Sequence, residues 1–261
     1  MSKLTVIIST YSDRVFLLEN ILQDERPDVR YLVVHQQYQE IDAPSFLDRE
    51  DVEVVQTDTK GLSKSRNVGL SHCTTPYALI ADDDVRYLDN SFDLVIESLE
   101  SGAVDIAVFK IKTLDGEPQY KQYVEEDYLL NQGARHWVSS VELAFNVESV
   151  KSKGIYFDER FGLGTYLKKG EEQLFVNDCM RVGLVCKFFN RYLVIHPFES
   201  SGKRDNSIKF LEFYSGAFAN RNKEFRINFR RIMVYLKHPM LFIVDVYYMA
   251  GFIYIWVKKK R

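Results

Sequence analysis

Tyr77-Ala-Leu-Ile-Ala-Asp-Asp-Asp-Val85 decides the reading of this chain. Ala78 to Ala81 are small or apolar and run straight into three carboxylates, Asp82, Asp83 and Asp84. So short an apolar run reads as a buried strand. Three acids at its end repel one another unless a cation or strong hydrogen bonds keep them ionised. Their hard oxygens suit Mg²⁺ or Mn²⁺, which takes one or two carboxylates and completes its shell with substrate phosphates. The stretch reads as a metal–diphosphate site at a strand end. A solvated acidic turn leading into the next helix is the plainer reading of the same residues.

Working outward, Leu4 to Ser9 is a β-rich run without alternation, so a strand buried on both faces. Thr10-Tyr11-Ser12-Asp13 follows, then a helix over Arg14 to Gln23 with Ser12 or Asp13 as its cap. Tyr31 to Val34 and Val52 to Val55 read as strands, Leu62 to Leu70 as a short helix after a Gly turn, and Asp89 to Leu99 as the helix after the acids. Alternating strands and helices predict an α/β sheet, mostly parallel. Ligands of such sheets sit at the carboxyl ends of the strands, where Thr10-Tyr11 and Asp82 to Asp84 both fall.

After Gly102 the pattern loosens. Val104 to Ile111 and Val138 to Phe145 read as strands, and residues 114–132 are acidic, tyrosine-rich and without a readable period. Glu148 to Lys153 reads as a short helix. A loop with two glycines covers Phe157 to Gly164, and a helix runs from Gly170 to its stop at Gly183. Leu184 to Phe188 and Tyr192 to Ile195 read as extended.

Three further constellations carry chemistry. Lys60-Gly-Leu-Ser-Lys-Ser-Arg-Asn67 puts a Gly turn, hydroxyls and cations at a helix start, a natural anion site. Arg66 would reach a diphosphate or order the acids; a solvated, capped helix start is the bland alternative. Glu171-Glu172 lies in the first turn of a helix, where acids often serve only the helix dipole. The sharper reading is a general base beside a glycine loop that admits a second substrate. His196, before Pro197, ends a strand and either packs there or completes a metal site with the aspartates.

The net charge of -3 hides an asymmetry. Residues 201–261 carry 13 Lys/Arg against 4 Asp/Glu, a net of +9, and residues 1–200 carry 21 against 33, a net of -12. A basic, aromatic end on an acidic body suits an anionic surface. Membrane fits better than nucleic acid, because the basic part also holds the apolar run Pro239 to Val257. Asp245 within that run is costly in a lipid core, by about 3 kcal/mol. Its aromatic residues suit an interface, so the expectation is peripheral attachment rather than a span. Packing on the body or a homo-oligomer interface is the other role open to these helices. Cys73, Cys179 and Cys186 show no paired spacing, which fits a reduced compartment, and no leader-like run opens the chain.

With these residues in hand, the chain resembles a family 2 glycosyltransferase of the GT-A fold. The motifs are VIISTYSDR (6–14), KGLSKSRN (60–67), ALIADDDV (78–85) and FDERFGLGTYLKKGEEQLF (157–175), in the family's order and spacing over roughly residues 4–200. Each is weak alone; four in sequence are strong. The resemblance implies a Rossmann-like nucleotide-sugar-binding domain over 1–200, with a helical, basic appendage over 201–261. It implies inverting transfer from a nucleotide-sugar to a saccharide or lipid-linked acceptor, in surface polysaccharide synthesis at the cytoplasmic face of the membrane. By the resemblance Thr10, Tyr11, Arg14, His35, Lys60, Arg66, Asp82 and Asp83 line the donor pocket. Asp82 and Asp84 match the outer acids of the metal-binding D-x-D motif, with Mn²⁺ or Mg²⁺ as cofactor; His196 is expected as a further ligand from its own place at a strand end. Glu171-Glu172 matches the pair that supplies the base, Glu172 being the expected one. Two positions depart from the family pattern. The second strand runs into His35-Gln36-Gln37 where acids usually help to read the base, so uridine is expected only as the commonest case. The base position carries Glu where Asp is usual.

Two other classes fit less well. A non-catalytic binding or scaffold protein would not need an intact acidic cluster and Glu pair. A nucleotidyltransferase would want a glycine-rich basic loop where this chain has STYSDR.

Overall fold

The computed structural model describes residues 2–131, 137–165, 168–198 and 236. The basic appendage and the apolar run 239–257 therefore lie outside the described residues, and so do the expectations made for them.

The chain alternates as its sequence predicts. β1 (Leu4–Tyr11) is followed by β2 (Val29–Gln36), β3 (Val52–Thr57), α1 (Leu62–His72) and β4 (Tyr77–Ala81). Then come β5 (Arg86–Tyr87), α2 (Ser91–Glu100), β6 (Ile106–Lys112), β7 (Tyr128–Leu129), β8 (Leu143–Asn146), α3 (Val147–Ser152), α4 (Glu171–Arg181) and β9 (Cys186–Ile195). They form one sheet in the order β3-β2-β1-β4-β8-β6-β9-β5, with β7 also on β9. The first four of that order are parallel throughout. β8 runs against β4 and β6, while β5 and β7 run against β9. The sheet is thus mixed, with the expected parallel register in its N-terminal half.

Alternate strand residues feed two cores. Val6, Ile8, Leu79, Ala81 and Phe109 pack on α2 and the segment after β1, and Ile7, Leu32, Ile80, Val108 and Phe145 face α1, α3 and α4. Side chains of opposite parity on a strand point to opposite faces, so a run buried on both faces must be continuously apolar. Packing on the second face is close at Gly69: a Cβ there would lie 2.3 Å from Ile7 Cγ2, so α1 can sit on β1 only with glycine at that position.

Four local expectations are corrected. The segment after β1 is a 3-10 helix, Ser12–Asn20, not an α-helix from Arg14. Val15 and Leu18 are its buried residues, and the buried Ile21 at its C-cap continues their spacing of three, the period of that tighter helix. Its cap is Tyr11, without a side-chain capping bond, rather than Ser12 or Asp13. The strand expected over Val138 to Phe145 begins only at Leu143, because Ser140–Glu142 form a 3-10 turn closed by Glu142 bonding the Ser139 N–H at 2.8 Å. The two extended pieces around 184–195 are a single strand, β9, with register shifts against β6. β5 and β7, two residues each, have no sequence signal of their own.

All the parallel strands end on one edge of the sheet. Tyr11, Gln36 and Thr57 lie side by side there. The ends of β4, β6 and β9 and the start of the antiparallel β8 complete the edge.

Candidate active site

That edge gathers the residues singled out from sequence. The three aspartates after β4 diverge. Asp83 turns inward and is nearly buried. It takes two hydrogen bonds from the Arg14 guanidinium, one of 2.8 Å from Nε, and one of 3.2 Å from the Thr10 hydroxyl. Burial raises its pKa and Arg14 opposes that rise, so the carboxyl stays somewhat above the usual range. Asp83 ties β1 to β4; it is a brace rather than an open ligand. Asp82 and Asp84 keep partial exposure, 32% and 47% of their side chains.

Asp84 faces His196, with Nε2 3.4 Å from Oδ1, and Arg14 at the same distance from Oδ2. His196 Nδ1 donates to the Pro197 carbonyl at 2.7 Å, which leaves Nε2 as the ring atom turned to Asp84. Its ring packs edge-on to Tyr120, centroids 5.5 Å apart. The hydrogen bond with His196 is the main reason Asp84 titrates below the usual carboxylate range. Burial pulls His196 down, and Asp84 with the Pro197 carbonyl outweighs it, leaving the imidazole above its ordinary value.

Arg66 is the hub of the other side. It is fully buried in α1, with its guanidinium 5.5 Å from the Phe157 ring centroid. It donates to Asp82 Oδ1 at 3.1 Å, Glu171 Oε1 at 3.3 Å and Glu172 Oε1 at 2.9 Å. One cation cannot neutralise three carboxylates. Burial first, and then the charge of Glu172, push the Glu171 carboxyl well above its ordinary value, which favours its neutral form. Glu171 is 3% exposed and its Oε2 has no partner, whereas Glu172 is only partly buried. Both sit in the first turn of α4 behind Gly170, whose positive φ of 99° breaks the preceding loop into the helix. Between them and the donor side, loop 161–165 lies on turn 60–63: Ser63 Oγ donates to the Phe161 carbonyl at 2.8 Å and Leu62 N to Leu163 O at 2.9 Å. A Cβ at Gly164, whose φ is +82°, would lie 3.1 Å from Gly61 Cα.

The remaining candidates line the strand ends. Lys60 is exposed and its Nζ lies 5.8 Å from the centroid of the half-exposed Tyr11 ring. His35 is fully buried, and its Nε2 donates to the Ser12 carbonyl at 2.9 Å. Ser12 has a φ of +54°, a conformation L-residues avoid, and His35 helps to hold it. His35 therefore meets a donor only through the Tyr11-Ser12 turn, not through an exposed ring.

Five carboxyls, Asp82 to Asp84, Glu171 and Glu172, thus share two guanidiniums, Arg14 and Arg66. The excess of negative charge, with an imidazole nitrogen beside Asp84, is a donor set that fits a divalent cation. Among the described residues no group of three or more His, Cys, Asp or Glu side chains is placed to hold a metal ion, so Asp82, Asp84 and His196 are not brought together as a three-residue ligand set.

Sequence reasoning missed Ser140, whose Oγ donates to Asp82 Oδ2 at 2.7 Å. The readable signal was Ser139-Ser140-Val141-Glu142, the S-x-x-E pattern of a capped turn.

Comparison with known proteins places the chain in a family. Residues 5–161 match glycosyl transferase family 2. The poly(ribitol-phosphate) beta-N-acetylglucosaminyltransferase TarS of Staphylococcus aureus, in strains Mu50 and MW2, is 25% identical over 189 residues. That alignment covers 67% of this chain and 32% of TarS, so the chain spans about a third of the length of these curated relatives. Among solved structures, S. aureus TarS 1-349 in complex with UDP-GlcNAc superposes with a TM-score of 0.62 at 19% identity, over 84% of this chain and 66% of that one. The longer TarS crystal structure gives 0.62 at 18% identity, over 82% of this chain and 38% of that one. At such identity the likeness speaks to fold.

Proposed function

The chain belongs to glycosyl transferase family 2, and we propose that it transfers a sugar from a UDP-linked donor to a saccharide or lipid-linked acceptor in bacterial surface polysaccharide synthesis. It is a glycosyltransferase of the GT-A fold. The donor and pathway rest on its likeness to a protein named for N-acetylglucosaminyl transfer to poly(ribitol phosphate), and on the site itself.

One observation carries the reading: a single buried arginine, Arg66, bonds both an acid of the D-x-D motif and Glu172. It fixes the spacing between the group that meets the leaving diphosphate and the group that meets the acceptor. Asp82 and Asp84 would hold Mn²⁺ or Mg²⁺ together with oxygens of the donor diphosphate, with His196 beside Asp84, and the cation would neutralise charge developing on that diphosphate. Tyr11, with Lys60 beside its ring, offers a face for the nucleoside, and Thr10 and Arg14 keep the acids behind it in place. Glu172, held by Arg66 at 2.9 Å and still open on one side, takes the proton of the acceptor hydroxyl as its oxygen attacks the anomeric carbon. A single displacement from the opposite face inverts configuration and needs one catalytic carboxylate, unlike the paired carboxylates of glycoside hydrolysis. Glu171, 3% exposed, supports Arg66 rather than competing for the hydroxyl proton.

A thermal-shift panel of nucleoside diphosphates with Mn²⁺ tests the donor. UDP at about a hundred times its Kd stabilises by about 2.7 kcal/mol, a clear rise in Tm. A rise with GDP or CDP and none with UDP would reassign the nucleotide. We also propose peripheral attachment through the basic residues 201–261 to the membrane face that presents the acceptor; among the described residues no helix is long and apolar enough to cross a membrane. The full chain is expected to float with anionic liposomes and a chain ending near Ser207 to stay behind. If the full chain also stays behind, this segment packs or assembles instead.

A further inference from the structure

Asp82 is gripped on both oxygens. Arg66 Nη2 donates to Oδ1 at 3.1 Å from α1, and Ser140 Oγ donates to Oδ2 at 2.7 Å from the turn before β8. The antiparallel register brings Ser140 there: Leu79 pairs with Ala144, so the residues before β8 run past the end of β4. Ser140 is 7% exposed and opens a 3-10 turn, and nothing in the backbone of an isolated turn would hold it to one position.

What holds it is a buried charge. Glu142 is fully buried two residues on, and its carboxylate takes hydrogen bonds from Tyr123 Oη at 2.6 Å, Ser139 N at 2.8 Å and Lys121 Nζ. Lys121 Nζ also donates to the Trp137 carbonyl at 2.7 Å, and Tyr123 Oη accepts from Ile111 N at 2.9 Å on β6. A buried ion pair of this kind adds little net stability over an apolar replacement, because desolvation offsets the attraction. A fully satisfied polar network does fix one geometry. The geometry fixed here is that of the turn carrying Ser140.

We propose that Ser140 is a positioning residue of the metal–diphosphate site. With Arg66 it sets the plane of the Asp82 carboxylate, and the Lys121–Glu142–Tyr123 cluster sets Ser140. A carboxylate with one donor on each oxygen has lost its rotation and keeps a lone pair on each oxygen for a cation. Partners that orient a ligating carboxylate in this way are typically worth about 10- to 100-fold in metal affinity. The inference rests on the reading of Asp82 and Asp84 as the metal acids.

The test is calorimetric binding of UDP in Mn²⁺ and of UDP in EDTA to the full chain, for wild type, Ser140→Ala, Ser140→Thr and Asp84→Ala. Ser140→Ala should weaken binding in Mn²⁺ about tenfold or more and leave binding in EDTA unchanged. Its Tm should fall by no more than about 4 °C, the scale of one hydrogen bond. Ser140→Thr, which restores the hydroxyl, should recover most of the loss. Wild-type affinity in Ser140→Ala, with Asp84→Ala defective, overturns the positioning role while leaving the metal site standing. Equal weakening with and without Mn²⁺ also overturns it, since general loosening of the cleft would do that. If Asp84→Ala binds like wild type in Mn²⁺, the metal reading fails and this inference with it.

Discussion

Asp84→Ala is expected to abolish Mn²⁺-dependent turnover while the protein stays folded. Asp84 is half exposed, and its contacts with His196 and Arg14 are both 3.4 Å, long for hydrogen bonds. The Arg14 pair is exposed on both sides and such pairs contribute about 0–1 kcal/mol to stability, while the buried His196 keeps its Pro197 carbonyl and Tyr120 contacts without Asp84. Asp83, itself held by the Thr10 hydroxyl, still braces Arg14 to the sheet in the variant. The loss falls on the cation, whose stabilisation of charge in the transition state amounts to several kcal/mol, at least about a hundredfold in rate. Steady-state turnover at saturating Mn²⁺, with a thermal melt of the same sample, checks both halves. Turnover within a few-fold of wild type removes Asp84 from the metal site.

Glu172→Gln should cut transfer by about 10²- to 10⁴-fold with UDP binding retained, the usual span for loss of a general base. Gln keeps the size and an oxygen for Arg66, and cannot take a proton. Glu171→Gln is the contrasting variant. Burial and the charge of Glu172 raise the Glu171 carboxyl and favour its neutral form, which the amide imitates, so turnover should change little. A carboxyl raised on folding favours the native state below its unfolded value, near 4.5, and that contribution is lost as pH climbs to about 8. Tm of the wild type should therefore decline across that window more than Tm of Glu171→Gln. If Glu171→Gln is the inactive variant and Glu172→Gln is active, the two roles are exchanged.

Much of this site was legible in the sequence because strand ends are. A short apolar run ending in acids announces both its burial and the place where burial stops, and Leu4 to Tyr11 and Tyr77 to Asp84 carried that signal. The α/β order followed from the same punctuation. The division of labour among the three aspartates was not legible. Only the register of β1 against β4 brings Thr10 and Arg14 to Asp83 and leaves its neighbours open. Periodicity also failed where a turn mimics a strand. Val138 to Phe145 is apolar enough for one, yet the buried Glu142 carboxylate winds its first half into the turn that carries Ser140. Residues 114–131 gave no period because their order comes from side chains, with Lys121 and Tyr123 closing on Glu142 and Glu117 accepting from Phe198 N. His35 drew notice as a departure from the family pattern; its buried ring shows that the departure props the Ser12 turn.

A non-catalytic member of the family would keep the sheet and the arginine hub and lack turnover, so chemistry itself decides. The direct measurement is UDP release from a panel of UDP-sugars by the purified full chain, in Mn²⁺ and in EDTA, beside Glu172→Gln. Release is expected in Mn²⁺ from at least one UDP-sugar, with its loss in EDTA and a fall of at least about a hundredfold in Glu172→Gln. Release that persists undiminished in EDTA and in Glu172→Gln would contradict that expectation.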